Sequence, residues 1–167
     1  MKSVSSDTNV WIDFSMIDRV NLPFRLPYTY TMNGDALDDE LLFSSDLRAC
    51  LLMYGLVRTQ LSYEEFVLAE LFGSQYPRLS IYDRIALATA KLREVDLLTG
   101  DGALRRAAKD VSVQVIGTLG ILDKLLVNKH VSLQEYALCL GRLQAHNGKA
   151  VRLPKNEIAV RLQRMKE

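Results

Sequence analysis

One stretch limits the possible folds of this chain more than any other: SIYDRIALATAKLREVDLLTGDGALRRAA, residues 80–108. Ser80 suits a helix N-cap, and the helix it opens has Ile81, Ile85, Leu87 and Ala88 available for burial before ending near Arg93. Val95 to Leu98, Val-Asp-Leu-Leu, is a short, mostly apolar run of the kind that forms a buried strand. Thr99-Gly100-Asp101-Gly102 breaks that run, and Ala103 to Lys109 begins a second helix. A helix–strand–helix unit places Asp101 just beyond the carboxyl end of a strand, where open α/β sheets bind ligands. Asp83, at the mouth of the preceding helix, shares that edge if the helix runs antiparallel to the strand.

The 167 residues suffice for about one domain, and 49% hydrophobic with 25% charged residues is ordinary for a globular protein. No apolar run approaches the roughly 20 residues needed to cross a bilayer. The opening MKSVSSDTNVWIDF lacks the apolar core of a signal peptide, so a cytoplasmic location and no membrane partner are expected. Cys50 and Cys139 fit no metal spacing and read as reduced core residues. The net charge of +1 conceals an asymmetry: residues 142–167 carry seven Lys/Arg against two acids, a balance of +5, and the rest is acidic. A basic tail suits a polyanion or an acidic partner, or is simply a solvated helix.

Lys2 to Ser6 is expected as the first strand despite its serines, followed by an apolar helix face with Val10, Trp11, Ile12, Phe14 and Ile17. Tyr28-Thr29-Tyr30 reads as a second short strand and Asn33-Gly34 as a turn. Asp38, Asp39 and Glu40 open a helical stretch to Leu52 with Leu41, Leu42, Leu47 and Leu51 as core candidates; the spacing does not say which acid faces inward. Ser62-x-x-Glu65 is a capping box for a helix with Phe66, Ala69 and Leu71, running to Phe72 before a loop over 73–78. Val111 to Ile116 is expected as a strand parallel to 95–98, with a glycine turn at 117–120 leading into a helix over 121–127. Ser132 to His146 forms a long helix with Leu133, Ala137, Leu140 and Leu143 on one face, and a last helix docks Ile158, Leu162 and Met165 on the body.

Read singly, the acids have structural explanations: Asp7 and Asp101 as helix caps, Asp83 as partner of Ser80 in a capping box. Read together, Asp7, Glu40, Asp83 and Asp101 each fall at an expected helix start or strand end, and in a parallel sheet those termini converge. Four crowded carboxylates raise one another's pKa, and a hard divalent cation such as Mg²⁺ or Mn²⁺ relieves the repulsion with oxygen ligands. His130 and His146 are isolated, so no Ser–His–Asp or Cys–His arrangement competes.

These residues resemble a known family. Asp7-Thr8-Asn9, Glu40-Leu41, Ser80-x-x-Asp83-x-x-Ala86-Leu87-x-x-Ala90 and Leu97-Leu98-Thr99-Gly100-Asp101-x-x-Leu104 together look like a PIN-domain nuclease of the VapC-like branch, the ribonucleases of toxin–antitoxin pairs. Val115 to Leu122 is similar to the strand and glycine turn of one branch of that family, and the resemblance covers roughly residues 3–127. It implies a three-layer α/β/α fold with a central, mostly parallel sheet of four to five strands, a nuclease core over 1–127 and a basic helical extension over 128–167. It also implies hydrolysis of RNA, with Asp7, Glu40, Asp83 and Asp101 holding one or two Mg²⁺ or Mn²⁺ ions and Glu40 handling protons. Thr99 would bond Asp101 or the phosphate, and Asn9 would support Asp7. Arg84, Arg105 and Arg106 are either phosphate contacts or solvated helix charges. The partners implied are an RNA substrate, a small antitoxin protein and a second copy of the chain. The competing expectations are a catalytically inactive PIN-like module that binds RNA or protein and, more remotely, a phosphoryl-transfer enzyme of another α/β class.

Overall fold

A computed structural model describes residues 1–167. Five parallel strands form one sheet in the order β3-β2-β1-β4-β5: β1 Lys2–Ser6, β2 Tyr28–Asn33, β3 Val57–Thr59, β4 Asp96–Leu98 and β5 Val115–Ile116. Nine α-helices join and cover them: α1 Thr8–Met16, α2 Gly34–Glu40, α3 Ser45–Tyr54, α4 Tyr63–Gln75, α5 Ile81–Arg93, α6 Gly102–Asp110, α7 Thr118–Val127, α8 Leu133–His146 and α9 Lys155–Arg164. The result is the expected three-layer α/β/α architecture. No helix is long and apolar enough to cross a membrane.

Strand periodicity divides the core between the two faces of the sheet. Val4, Leu98 and Ile116 face a large cluster with Trp11, Phe14, Leu119, Leu122, Leu140 and Ile158 from α1, α7, α8 and α9. Leu97 faces a smaller cluster built from Ala69, Phe72, Leu87, Ala90, Leu104 and Ala108 of α4, α5 and α6. The serines of β1 serve this packing. Ser5 Oγ donates to the Ala86 carbonyl at 3.0 Å, so a small side chain lets α5 approach the strand closely. Ser6 Oγ donates to the Thr31 carbonyl and accepts from Trp11 Nε1 at 3.1 Å, satisfying two buried polar groups at once.

The last two helices share the larger cluster. Tyr136, Cys139, Leu140 and Leu143 are buried on α8, and Ile158 on α9, with Leu162 and Met165 packed against them. Cys139 is buried, Cys50 partly so, and both are unpaired thiols.

Several local expectations are corrected. Asn33 is not a turn residue but the cap of α2, its Oδ1 accepting from Asp35 and Ala36 N–H groups. Asp38, Asp39 and Glu40 therefore close α2 instead of opening the next helix, which begins only at Ser45. β3 carries no apolar alternation in Val57-Arg58-Thr59 and was not anticipated. The strand expected over 111–116 shrinks to two residues, because Val111 ends α6 and Ser112 sits at φ 61°. α7 starts at Thr118, capped by Gly117. Ile81, Leu42, Phe66, Leu71 and Leu133, expected in the core, are exposed; Phe72 and Tyr136 take the buried positions on their helices.

Candidate active site

β1 is the strand from which the chain departs to both sides of the sheet, with β2 on one flank and β4 on the other. In open α/β sheets the crevice at such a switch point, beyond the strand carboxyl ends, is where ligands bind. Asp7 follows β1 directly, and Thr99-Gly100-Asp101 follows β4. The ladder continues into this edge, with Asp7 N–H donating to Leu98 O at 2.9 Å and Thr99 N–H to Ile116 O at 3.0 Å.

Asp7 is 6% exposed and caps α1. Its Oδ1 accepts from Thr8 N–H at 2.8 Å and its Oδ2 from Thr99 Oγ1 at 2.9 Å. Those bonds favour the carboxylate, but burial and then the charges of Asp83 and Glu40 outweigh them and push the pKa up to about 7. Thr99, fully buried, also accepts from Asp101 N–H at 3.1 Å, so one hydroxyl ties the β1 end to the β4 end. Asp101 caps α6 through Oδ1, which accepts from Leu104 N–H at 2.8 Å.

Asp83 sits in a reciprocal capping box with Ser80 at the start of α5, half-buried. Burial raises its pKa, opposed by the Ser80 bonds and reinforced by Asp101. Glu40 stands at the exposed rim, where Thr8 Oγ1 donates to its Oε1 at 2.8 Å. Partial desolvation, then the charges of Asp83 and Asp39, raise its pKa against the pull of the Thr8 bond. Asp7 thus feels the charges of Asp83 and Glu40, Glu40 that of Asp83, and Asp83 that of Asp101, which links the four acids along one edge of the sheet. The neighbours of Glu40 are engaged elsewhere: Asp38 forms a paired contact with the Arg58 guanidinium at 2.7 and 2.8 Å, and Asp39 accepts from the Tyr82 hydroxyl.

The supporting residues differ in detail from expectation. Asn9 does not bond Asp7; its Oδ1 accepts from Gly100 N–H at 3.1 Å and pins the β4–α6 turn to α1. Thr99 meets Asp101 through the backbone and gives its proton to Asp7. Arg84 Nε donates to Ser80 O, and its guanidinium lies over Gly73 of α4, where any Cβ would collide with it. Arg105 and Arg106 are exposed on α6, Arg105 reaching toward Gly117.

Two features were missed. Thr8 positions Glu40, though only its place in Asp7-Thr8-Asn9 hinted at a role. Asp13, an acid inside the apolar Trp11-Ile12-Asp13-Phe14 run, is buried, accepts from Thr118 Oγ1 at 2.6 Å, and is raised to about 6 by burial.

The donor set is entirely oxygen. Glu40 Oε2, Asp83 Oδ1 and Asp101 Oδ2 accept no hydrogen bond, since each carboxylate spends only its other oxygen on a local partner. Such hard, anionic oxygens fit Mg²⁺ or Mn²⁺ and not a thiophilic metal. As the side chains stand, no three His, Cys, Asp or Glu residues converge closely enough to grip an ion.

A family model described as DUF3368, PIN domain, matches residues 3–167. No curated protein and no solved structure matches the chain.

Proposed function

We propose a metal-dependent ribonuclease from one premise: the chain belongs to the PIN-domain family, a nuclease-type fold. The observation that carries the proposal is the placement of Asp7 and Asp101 beyond the carboxyl ends of adjacent parallel strands, tied through the Thr99 hydroxyl, with Asp83 and Glu40 close enough to raise the pKa of Asp7. Capping alone explains neither the burial of Asp7 nor the presence of Glu40, which caps nothing.

Asp7, Glu40, Asp83 and Asp101 would hold one or two Mg²⁺ or Mn²⁺ ions, drawing in from the positions described, since no three yet share ligand geometry. The ion supplies a hard positive charge that acidifies an attacking water and offsets charge building on the scissile phosphate. Thr99 holds Asp7 and Thr8 holds Glu40, so both carboxylates are oriented from behind by hydroxyl donors. Glu40, with its raised pKa and unengaged Oε2, would take the proton of the attacking water. Asn9 fixes the turn that carries Asp101. Arg105, exposed and in no ion pair, would face the substrate phosphates; Arg84, turned onto α4, has a supporting place.

The likeness of these motifs to VapC-like ribonucleases extends the proposal to the toxin half of a toxin–antitoxin pair, acting on RNA in the cytoplasm and restrained by a small antitoxin protein. The extension rests on residues 3–127, with 128–167 as an accessory basic region. Purified protein should cleave single-stranded RNA in Mn²⁺ or Mg²⁺ and not in EDTA, and Asp7→Asn or Asp101→Asn should abolish cleavage while folding is retained. RNA binding without cleavage in any metal would replace the reading with a non-catalytic binding module, the alternative favoured by the unconverged carboxylates.

A further inference from the structure

Beside Asp101 a second cleft opens, between α1, the β4–α6 turn and the loop that joins α8 to α9. It encloses about 440 Å³ and is lined by Asn9, Asp13, Gly100, Asp101, Lys149 and Arg152, among others. That volume falls in the range of small-ligand sites and accommodates a unit of nucleotide size.

The loop over 147–153 is built, not slack. Asn147 clamps it at both ends of one residue: Nδ2 donates to Leu153 O at 2.9 Å, and Oδ1 accepts from Leu153 N–H at 2.8 Å. Gly148 N–H donates to Val151 O at 2.8 Å, with Gly148 at φ 85°, a left-handed turn that suits glycine. Val151 is fully buried in the larger core cluster and anchors the loop. Lys149 and Arg152 flank that anchor, and both are exposed.

Neither cation has an ion-pair partner, although Asp13 and Asp101 line the same cleft. Other arginines of the molecule are spent internally: Arg58 on Asp38, Arg93 on Glu65, Arg161 on Asp123. Two cations held on a rigid loop and left unneutralised form a surface for an anion. The adjoining carboxylates exclude a purely anionic occupant and favour one that alternates phosphate with neutral hydrogen-bond donors. A nucleic acid strand has that alternation.

We propose that this cleft holds the nucleotide next to the cleavage site of a single-stranded RNA, with Lys149 and Arg152 each gripping one of the two phosphates that flank it. The orientation rests on the nuclease reading above, but the binding itself does not. Asn147 acts as a positioning residue, since it touches no ligand and sets the loop.

The test is fluorescence anisotropy of a labelled single-stranded RNA oligonucleotide on full-length protein in EDTA, across a salt series. Two phosphate contacts on a single strand correspond to a loss of about 1.4 in the log–log salt slope. Lys149→Ala/Arg152→Ala should lose that much and bind several-fold more weakly, whereas the charge-matched Lys129→Ala/Lys166→Ala should keep the parent slope. Asn147→Ala, which removes no charge, should also weaken binding. The proposal is overturned if the parent does not bind, if both double variants lose slope equally, or if Asn147→Ala binds as the parent does. Cleavage in Mn²⁺ separates the two readings. A parent that binds through Lys149 and Arg152 yet never cleaves sinks the nuclease and keeps the clamp. One that cleaves while Lys149→Ala/Arg152→Ala retains the parent slope does the reverse.

Discussion

Asp7→Asn should make the metal-free protein more stable at pH 8 and slightly less stable at pH 4. The side chain is buried and its carboxyl is raised from 3.8 to about 7. Between those values the folded state keeps a proton that the unfolded chain has released, so stability falls as pH rises and is lowest above 7. About three units at 1.36 kcal/mol each is on the order of 4 kcal/mol. Asparagine carries no charge to suppress, but it cannot accept from both Thr8 N–H and Thr99 Oγ1, which costs about 1 kcal/mol at every pH. The net is a gain of about 3 kcal/mol at pH 8 and a loss of about 1 at pH 4. For a chain of this length 1 kcal/mol moves Tm by about 2–4 °C. Thermal unfolding in EDTA, followed by circular dichroism, should therefore show the variant melting about 6–12 °C higher at pH 8 and about 2–4 °C lower at pH 4. A difference in Tm that stays constant between those pH values would refute the claim that burial and neighbouring acids hold Asp7 in a perturbed state.

Thr99→Val, nearly isosteric, strips the donor from Asp7 and the acceptor from Asp101 N–H; a loss of about 2 kcal/mol is expected in urea unfolding, with the pKa of Asp7 moving higher still. Mn²⁺ affinity should climb as pH rises towards about 7 and level off above, because Asp7 must shed its proton to bind; calorimetric titration at pH 5.5 to 8.5 checks it, and a flat profile counts against Asp7 as a ligand. Asp83→Asn retains an oxygen to accept from Ser80 N–H, so the fold should persist while Mn²⁺ ceases to raise Tm; an undiminished Mn²⁺ shift excludes Asp83 from the site.

The sheet edge was legible because its grammar is local. A short, mostly apolar run, Val95-Asp96-Leu97-Leu98, followed by Thr-Gly-Asp-Gly marks a strand end and helix cap at once, and Ser80-x-x-Asp83 marks the facing helix start; both lie where expected. Glu40 was legible as an acid but misplaced. Its helix, α2, begins at an Asn33 cap that reads equally as a turn, so three consecutive acids moved from a helix start to a helix end. Choosing among them required partners remote in sequence: Arg58 for Asp38, Tyr82 for Asp39, Thr8 for Glu40. Local spacing carries no such information. β3 escaped notice because a three-residue strand at the sheet margin needs only backbone pairing with β2, and two of its side chains are exposed. The serines of β1 count against a strand by propensity, yet each buried hydroxyl finds a carbonyl, on α5 for Ser5 and on β2 for Ser6, that only the assembled fold supplies. The +5 balance after residue 141 was visible, but not that Asn147 would fold two of its cations against the Asp101 turn.

One calorimetric titration addresses the core of the account: Mn²⁺ into parent, Asp7→Asn, Asp101→Asn and Asp38→Asn at pH 7.5. Four acids forming one cation site require saturable binding by the parent, at least about tenfold weaker binding by the Asp7 and Asp101 variants, and parent-like binding by Asp38→Asn, whose carboxylate belongs to Arg58. Parent-like affinity in Asp7→Asn and Asp101→Asn would contradict it, however the RNA behaved.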